Sequence, residues 1–541
     1  MRSFYFAAAL LSVPAFALAQ GALTPPGAPA PTMKTLTQIE PRTPLQAGAT
    51  GVTANTNGGF TISAPGSYYL SGNLTVASGD GIKIDTNNVT LDLNGFTLSS
   101  TSNPASDIAI FIPSIWANII IRNGHIRGTG TIDNTTGEFS GAGFGYGIVG
   151  LGVHNVLISD ITIRDVVLHA IYLVSGSTVE RCAVTCCGYS GIRADVVTNS
   201  SAIFCANTAI EGTTVSNSQG SSVNGAGVSA TTASASIGTS NSGIGLIVTQ
   251  SAANCSGTTQ SGPYGLRVAS NDATPVLGSA ENCNGTVASG TGIGLSAGTA
   301  TNCHGTSASG SGIDAKSVAN SYGKSAAGHG ISATTVTGST GESTDKDGVH
   351  CTVASDSFGY SYNMTGLSAA TATNCYGASH VGYGLYAQEA TNCHGKSDTG
   401  TRGLHADNTA TGCTGEITTA SGGGSSCGLW TIIATNCRGL LFSSTGSIQG
   451  YYGLSADIAQ NCTGTSFGGN GLRATTSALN CSGATGRTDG IGLNASGGTA
   501  NSCRGDGLGT GTALKAEIAI GCTSSHGVID VPAGGKFLGT P

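Results

Sequence analysis

The stretch Gly384–Gly395 reads Gly-Leu-Tyr-Ala-Gln-Glu-Ala-Thr-Asn-Cys-His-Gly and is the clearest copy of a unit that runs through most of the chain. Its aliphatic anchor, Leu385, is followed eight residues later by Cys393 and then by Gly395. Steps of 18 residues back from this anchor reach an aliphatic residue each time: Leu367, Val349, Ile331, Ile313 and Leu295. A fixed period of this length is typical of a solenoid, in which one short unit stacks on the next.

A second column of residues supports the repeat. With wider spacings the anchors run from Ile148 to Leu514, 19 in all, and near eight residues past each stands Cys in 11 copies, Ser in 6 and Val in 2, except that Cys283 is delayed by an insertion after Leu266. Because Ser replaces Cys, we predict that the position holds a small inward side chain, and that the thiols are free and buried. Partial disulfides and binding of a soft metal ion are the alternatives. The cysteines of this structural ladder are Cys255, Cys283, Cys303, Cys375, Cys393, Cys413, Cys437, Cys462, Cys481, Cys503 and Cys522.

The residues around each anchor alternate as they do in a β-strand: Leu385 is apolar, Tyr386 is variable and Ala387 is small. A left-handed hexapeptide helix would need aliphatic residues at Thr391 and Ser397, and a calcium β-roll would need Gly-Gly-x-Gly-x-Asp turns, which the sequence lacks. The sequence therefore predicts an all-β chain, folded as a right-handed parallel β-helix of about 20 coils with a minimal period of 18 residues. We expect the 86 glycines at turns that need a positive φ.

The N-terminal part of the repeat region carries a family resemblance. The run Gly66-Ser-Tyr-Tyr-Leu-Ser-Gly-Asn-Leu-Thr-Val, the run Asn88-Val-Thr-Leu-Asp-Leu-Asn-Gly-Phe-Thr-Leu, and Arg122-Asn-Gly-His-Ile-Arg-Gly resemble the first coils of secreted bacterial right-handed β-helix proteins, the pectate-lyase-like superfamily. The resemblance implies the right-handed fold and a frequent link to polysaccharides. It does not select one activity, because the superfamily includes lyases, hydrolases, epimerases, adhesins and phage spikes.

The chain divides by composition into four segments. Residues 1–19 have the charged start, apolar core and small-residue end of a secretory signal peptide, and 20–59 form a Pro/Ala/Gly-rich linker or lead-in. Residues 60–530 form the β-helix, with wider coils to about 206 and thin Cys/Ser/Ala coils after that, and 531–541 form a tail. We therefore expect a secreted, periplasmic or cell-surface protein without a membrane span after signal cleavage.

Charge and composition limit the partners. Lys and Arg number 21 against 28 Asp and Glu, and the net charge is −7, which disfavours nucleic-acid binding. Only 9% of residues are charged, so hydroxyl and amide groups dominate the predicted surface. Such a surface suits an extracellular rod and a sugar-facing surface equally well, and the expected partner is a polysaccharide or a cell-surface glycan. The sequence predicts no cofactor and no metal ligand set, and it leaves the oligomeric state open.

A search for catalytic groups finds one dense polar region and none of the motifs of pectate lyases or polygalacturonases. Its residues lie on neighbouring coils of the wide zone, and a carboxylate pair near His and Arg is suited to acid–base work on a glycan. The alternative function is therefore a polysaccharide lyase or glycoside hydrolase acting at the N-terminal coils. The candidate residues are Asp160, Arg164, Asp165, His169 and Arg193, with Glu180, Arg181 and Asp195 nearby.

The position directly after the anchor is predicted to face outward and holds Tyr386, His405 and Trp430 in three successive coils. Flat rings spaced along one face can stack on sugar rings, with Arg402 nearby. These residues favour an exported surface or structural β-helix that contacts glycans, without a demonstrable catalytic motif.

Six cysteines fall outside the predicted ladder. Four of them lie on neighbouring coils, where either a disulfide or free thiols are compatible with the sequence. The six are Cys182, Cys186, Cys187, Cys205, Cys351 and Cys427.

Overall fold

The computed structural model describes residues 40–133, 136–174, 176–269, 278–420, 426–444 and 450–539. The chain divides into a short N-terminal unit, Met1–Arg42, and a large unit, Thr43–Pro541. Within the described residues the large unit is all-β and forms a parallel β-solenoid of about 23 turns, which confirms the predicted parallel β-helix and is close to the predicted number of coils. These residues contain no helix long and apolar enough to cross a membrane. The predicted signal peptide, 1–19, lies outside them.

Each regular coil consists of two or three short strands. The coil that begins at Val349 has three: Val349–His350, Val353–Ser355 and Phe358–Ser361. Every strand pairs in parallel with its equivalent one repeat later, as Val349 does with Leu367 and Leu367 with Leu385. The anchors therefore form one continuous buried column, as the 18-residue spacing predicts.

The ordered strands begin before the predicted start of the solenoid at Phe60 and continue past its predicted end. Thr43–Pro44 pairs in parallel with the strand Gly66–Tyr69, and Val52–Ala54 forms an antiparallel pair with Phe60–Ile62. The wide zone contains the longest strand, His154–Val166, with Ile158, Ile161 and Ile163 buried.

At the C-terminal end the strand Thr512–Ile520 pairs with both Val528–Asp530 and Lys536–Leu538. The last of these strands lies within the predicted tail, 531–541. Backbone pairing therefore continues into the tail, because its residues supply hydrogen-bond partners to the preceding coil.

Asparagine occupies the sharp turn before most ladder residues, and glycine takes this place in a few coils, as Gly338 does. Asn374 and Asn392 both have φ of +53°, in the left-handed region that Asn tolerates because its short side chain bonds locally. Their exposed amides stack from coil to coil in places, as where Asn302 Nδ2 donates to Asn282 Oδ1 at 3.2 Å. The expectation that the repeat glycines serve mainly as positive-φ turn residues is therefore wrong for the regular coils.

The repeat glycines instead allow two strands of one coil to approach backbone to backbone. Gly384 and Gly395 represent two columns, and neither residue has a positive φ. A Cβ added at Gly395 would stand 2.8 Å from the Gly403 carbonyl carbon and closer still to its oxygen, where Cβ atoms essentially never come within 3.0 Å. This close approach explains why the coils are as thin as the sequence predicts.

The ladder position is selected by hydrogen bonding as well as by size. Ser339 Oγ donates to the Thr337 carbonyl at 2.8 Å and accepts from the Ser321 amide of the preceding coil at 3.1 Å. Cysteine makes longer versions of the same contacts, since Cys393 Sγ lies 3.2 Å from the Thr391 carbonyl oxygen. Both Ser and Cys occur in the column because each supplies a donor and an acceptor in a small side chain.

Loss of the ladder hydroxyl should therefore cost stability even though it removes only one atom. Replacing Ser339 by alanine leaves the buried Ser321 amide without its partner, and we expect a loss of about 1–2 kcal/mol in the free energy of unfolding. Ser339→Cys should lose less than half of that. Urea unfolding followed by circular dichroism measures the difference. Equal stability of the two variants would show that hydrogen bonding does not select the residue in this column.

The register in the wide zone corrects the predicted ladder. Ala183 pairs with Ser201, and the Cys182 amide donates to Ser200 Oγ at 3.1 Å, so Cys182 belongs to the ladder. Counting eight residues from the anchor Ile171 would place Val179 in the column instead, but Val179 pairs with Val197. The sequence count failed here because extra residues between Ile171 and Cys182 shift the register.

The remaining cysteines are also free. None of the 17 cysteines, all of which lie in the described residues, forms a disulfide. Cys187 pairs in register with Cys205, and their sulfurs are 3.0 Å apart, well beyond a covalent S–S bond. Cys205 pairs in turn with Ser222 in the next coil. Cys187 and Cys205 therefore belong to a second column of small side chains, separate from the ladder.

Candidate functional site

The predicted aromatic column lies together in the structure. Tyr386 pairs with His405 and His405 with Trp430, so the three residues occupy successive coils. All three follow a fully buried anchor leucine. The Tyr386 and Trp430 side chains are partly exposed, whereas His405 is only 9% exposed. The repeat thus places three rings in contact along one face.

The rings meet edge to face. The ring centroids of Tyr386 and His405 are 5.1 Å apart at 87°, and those of His405 and Trp430 are 4.6 Å apart at 77°. These spacings are close to one coil rise of about 4.8 Å. Edge-to-face pairs are a preferred aromatic geometry, so the cluster is held by its own contacts.

Arg402 joins the rings from the position two residues before its anchor. Its guanidinium lies 4.5 Å from the Trp430 ring centroid and 5.8 Å from that of Tyr383. Arg402 Nη1 also lies 2.9 Å from His405 Nε2. Burial lowers the pKa of His405 to about 4, and the Arg402 charge acts in the same direction. His405 is therefore neutral at ordinary pH, and Arg402 carries the positive charge of the cluster.

Asp407 completes the cluster on its outer side. It accepts a hydrogen bond from the Tyr386 hydroxyl, and its Oδ1 lies 3.0 Å from His405 Nε2. The hydrogen bond to Asp407 raises the pKa of Tyr386. Asp407 remains 39% exposed, so it offers a carboxylate to solvent beside the rings. We call Tyr383, Tyr386, Arg402, His405, Asp407 and Trp430 the aromatic patch.

Sequence reasoning missed two members of this patch, Tyr383 and Asp407. Tyr383 occupies the same repeat position as Arg402, two residues before the anchor, and its ring lies 6.4 Å from that of Tyr386. The signal for Tyr383 was therefore present, as a second outward column next to the first.

The predicted catalytic residues form two ion-paired groups, and His169 and Arg193 lie in a third, separate group. Arg181 bonds Asp160 at 2.8 Å and Glu180 at 2.8 Å, and Arg164 lies 3.6 Å from its neighbour Asp165. In the part of the chain that the structure describes, no ion pair or hydrogen bond joins these groups to each other or to His169 and Arg193. The Arg181 hydrogen bond lowers the pKa of Asp160, so this carboxyl is held as an anion in an ion pair.

His169 lies among aromatic side chains. Its ring centroid is 4.9 Å from that of Tyr172 and 4.8 Å from that of Tyr189, and Arg193 lies over the Tyr172 ring at 5.2 Å. The His169 Nδ1 atom is buried without a hydrogen-bond partner, and burial lowers the pKa of the ring. No carboxylate among the described residues bonds this histidine, so it lacks the orienting partner of an acid–base pair.

The sequence matches no protein-family model and no curated protein. The fold and the site define the class as a parallel β-solenoid with a patch of aromatic and charged side chains on one face. The likeness to pectate-lyase-like proteins is supported at the level of the β-helix alone.

Proposed function

We propose that the protein is an exported β-helix that contacts a glycan through the aromatic patch. The observation that carries the proposal is the grouping of Trp430 with Arg402, Tyr386 and Asp407 on three successive coils. Sugars present apolar C–H faces and rings of hydroxyl groups. Aromatic surfaces beside planar charged groups match both features.

The charge of the patch favours a neutral glycan. Arg402 contributes one positive and Asp407 one negative charge, and His405 is neutral because burial lowers its pKa. A polyanionic chain would be repelled by the Asp407 carboxylate, which lies beside the only guanidinium of the patch, that of Arg402. We therefore infer a neutral polysaccharide whose hydroxyls donate to Asp407 and accept from Arg402.

Replacing Trp430 by alanine should abolish most of the glycan affinity. The ligand is first found by screening the purified protein on a glycan array, and calorimetry then measures its Kd. Loss of a central aromatic contact costs about 2 kcal/mol or more, which corresponds to a Kd about 30-fold weaker. The melting temperature should stay within a degree or two, because Trp430 lies outside the buried core.

A matched control is Tyr360→Ala, which removes an exposed aromatic ring from a different strand ladder. This variant should bind the glycan like the wild type. Equal affinity of the Trp430→Ala variant and the wild type would refute the aromatic patch as the binding surface.

The same glycans distinguish binding from cleavage. We propose as the alternative a lyase or glycosidase at the N-terminal coils, supported by the pocket that Tyr146, His169 and Tyr172 line there. Incubation of the wild type with uronate and neutral polysaccharides, assayed for unsaturated products and new reducing ends, tests it. Turnover that is lost in His169→Ala but kept in Trp430→Ala would favour the alternative.

A further inference from the structure

A second group of side chains lies on the same face of the solenoid, away from the aromatic patch. His329 and Asp347 are 18 residues apart and occupy one repeat position, two residues before the anchors Ile331 and Val349. His350 follows its own anchor directly. One ligand atom from each of His329, Asp347 and His350 can be chosen so that all three lie within 4.8 Å of one another.

The three side chains converge on one carboxylate oxygen. Asp347 Oδ2 lies 3.0 Å from His350 Nδ1 and 4.0 Å from His329 Nδ1. The two imidazole rings stack with centroids 4.8 Å apart at 29°. A metal ion with bonds of 2.0–2.2 Å needs its ligand atoms about 3.3 Å apart, so small side-chain rotations suffice to close the site.

One ligand atom is left without a partner. His329 Nδ1 is buried and makes no hydrogen bond within the described residues. A buried polar atom without a partner is costly, and a bound cation would use its lone pair. The histidine–carboxylate pairs elsewhere in the described chain, such as His380 with Asp398 at 3.4 Å, have no third ligand of this kind.

The carboxylate is oriented from the next coil. The backbone amide of Thr365 donates to Asp347 Oδ1 at 3.2 Å, which leaves Oδ2 directed to the two histidines. Such an outer hydrogen bond is typical of metal-binding carboxylates. Asp347 is 13% exposed, whereas His350 is 53% exposed, so an ion can enter from solvent on the His350 side.

We propose that His329, Asp347 and His350 bind a divalent transition-metal ion, with zinc as the favoured ion. Two imidazole nitrogens and one carboxylate oxygen suit Zn²⁺, whereas Ca²⁺ and Mg²⁺ prefer sets of oxygen ligands. Three protein ligands leave a fourth position open for water or for a group from a bound molecule.

Zinc binding to the full chain tests the site. The protein is stripped with a chelator, and Zn²⁺ alone is titrated by calorimetry, with Co²⁺ in its place for visible spectroscopy. We expect one ion per chain, a Co²⁺ spectrum free of thiolate charge-transfer bands, and a rise in Tm with added Zn²⁺. His329→Ala, Asp347→Asn and His350→Ala should each weaken Zn²⁺ binding about 100-fold.

The matched control is His380→Ala, which removes a histidine from a two-member pair and should bind Zn²⁺ like the wild type. All variants keep the 17 cysteines, so binding to thiols would persist in every one of them. The half-exposed His350 can be replaced without changing the core, so its variant keeps the test valid if the others misfold. Absence of Zn²⁺ binding by the wild type, or unchanged affinity in His350→Ala, would overturn the proposal.

Discussion

The Gly395→Ala variant is expected to unfold with a free energy about 3 kcal/mol below that of the wild type. The added methyl would stand 2.8 Å from the carbonyl carbon of Gly403 and 2.9 Å from the Leu404 Cα. Both contacts are backbone atoms tied into the parallel ladders, so no side chain can rotate away. The strands must separate, which weakens the hydrogen bonds to the coils on both sides. Urea unfolding followed by circular dichroism measures the loss.

The matched control for this variant is Gly72→Ala. An added Cβ at Gly72 meets no atom within 4 Å, and this residue does not have a positive φ. Its stability should equal that of the wild type or exceed it slightly, because alanine restricts the unfolded chain. If Gly395→Ala is as stable as Gly72→Ala, the glycine column that contains Gly395 is not needed for close packing.

The Cys393→Leu variant should lose about 2–3 kcal/mol, and Cys393→Ser less than about 1 kcal/mol. Cys393 is 2% exposed, and its sulfur lies 3.2 Å from the Thr391 carbonyl oxygen. Leucine overfills a thin coil and removes the hydrogen bond, whereas serine already fills the equivalent place at Ser357. Thermal unfolding of the two variants gives the comparison.

Two results would contradict this account of the ladder. Equal melting temperatures of Cys393→Leu and Cys393→Ser would exclude inward packing at this position. Alkylation of the denatured, unreduced protein should label nearly all 17 cysteines, since every one of them is free in the structure. Labelling of only a few would show that the columns contain disulfides.

The sequence was most informative where the period is constant. From Leu295 to Leu385 each coil has 18 residues, so counting identified the inward anchors correctly. Counting failed at Cys182, where extra residues change the length of the coil. The role of Gly395 was also missed. The sequence alone does not distinguish a glycine that permits close backbone approach from one that permits a turn with positive φ.

The grouping of the site residues was likewise predicted where they share a repeat position. Tyr386, His405 and Trp430 were found because they share a repeat position, and the structure brings them into contact. Asp160 and His169 are neighbours in sequence, yet the turns of the coil direct them to different groups. Nearness along the chain is a poor guide to nearness in space when each coil has corners.

The matching inward residues of adjacent coils have a consequence for how the gene can change. The coils that begin at Ile313 and Ile331 share the inward residues Ala, Val, Ser, Gly and Ser at corresponding places. Unequal recombination between the two corresponding gene segments would delete or duplicate 18 codons in frame. The resulting junction would place the same inward side chains against the same inward neighbours, so a lineage can lengthen or shorten this protein in whole coils while keeping a packed core.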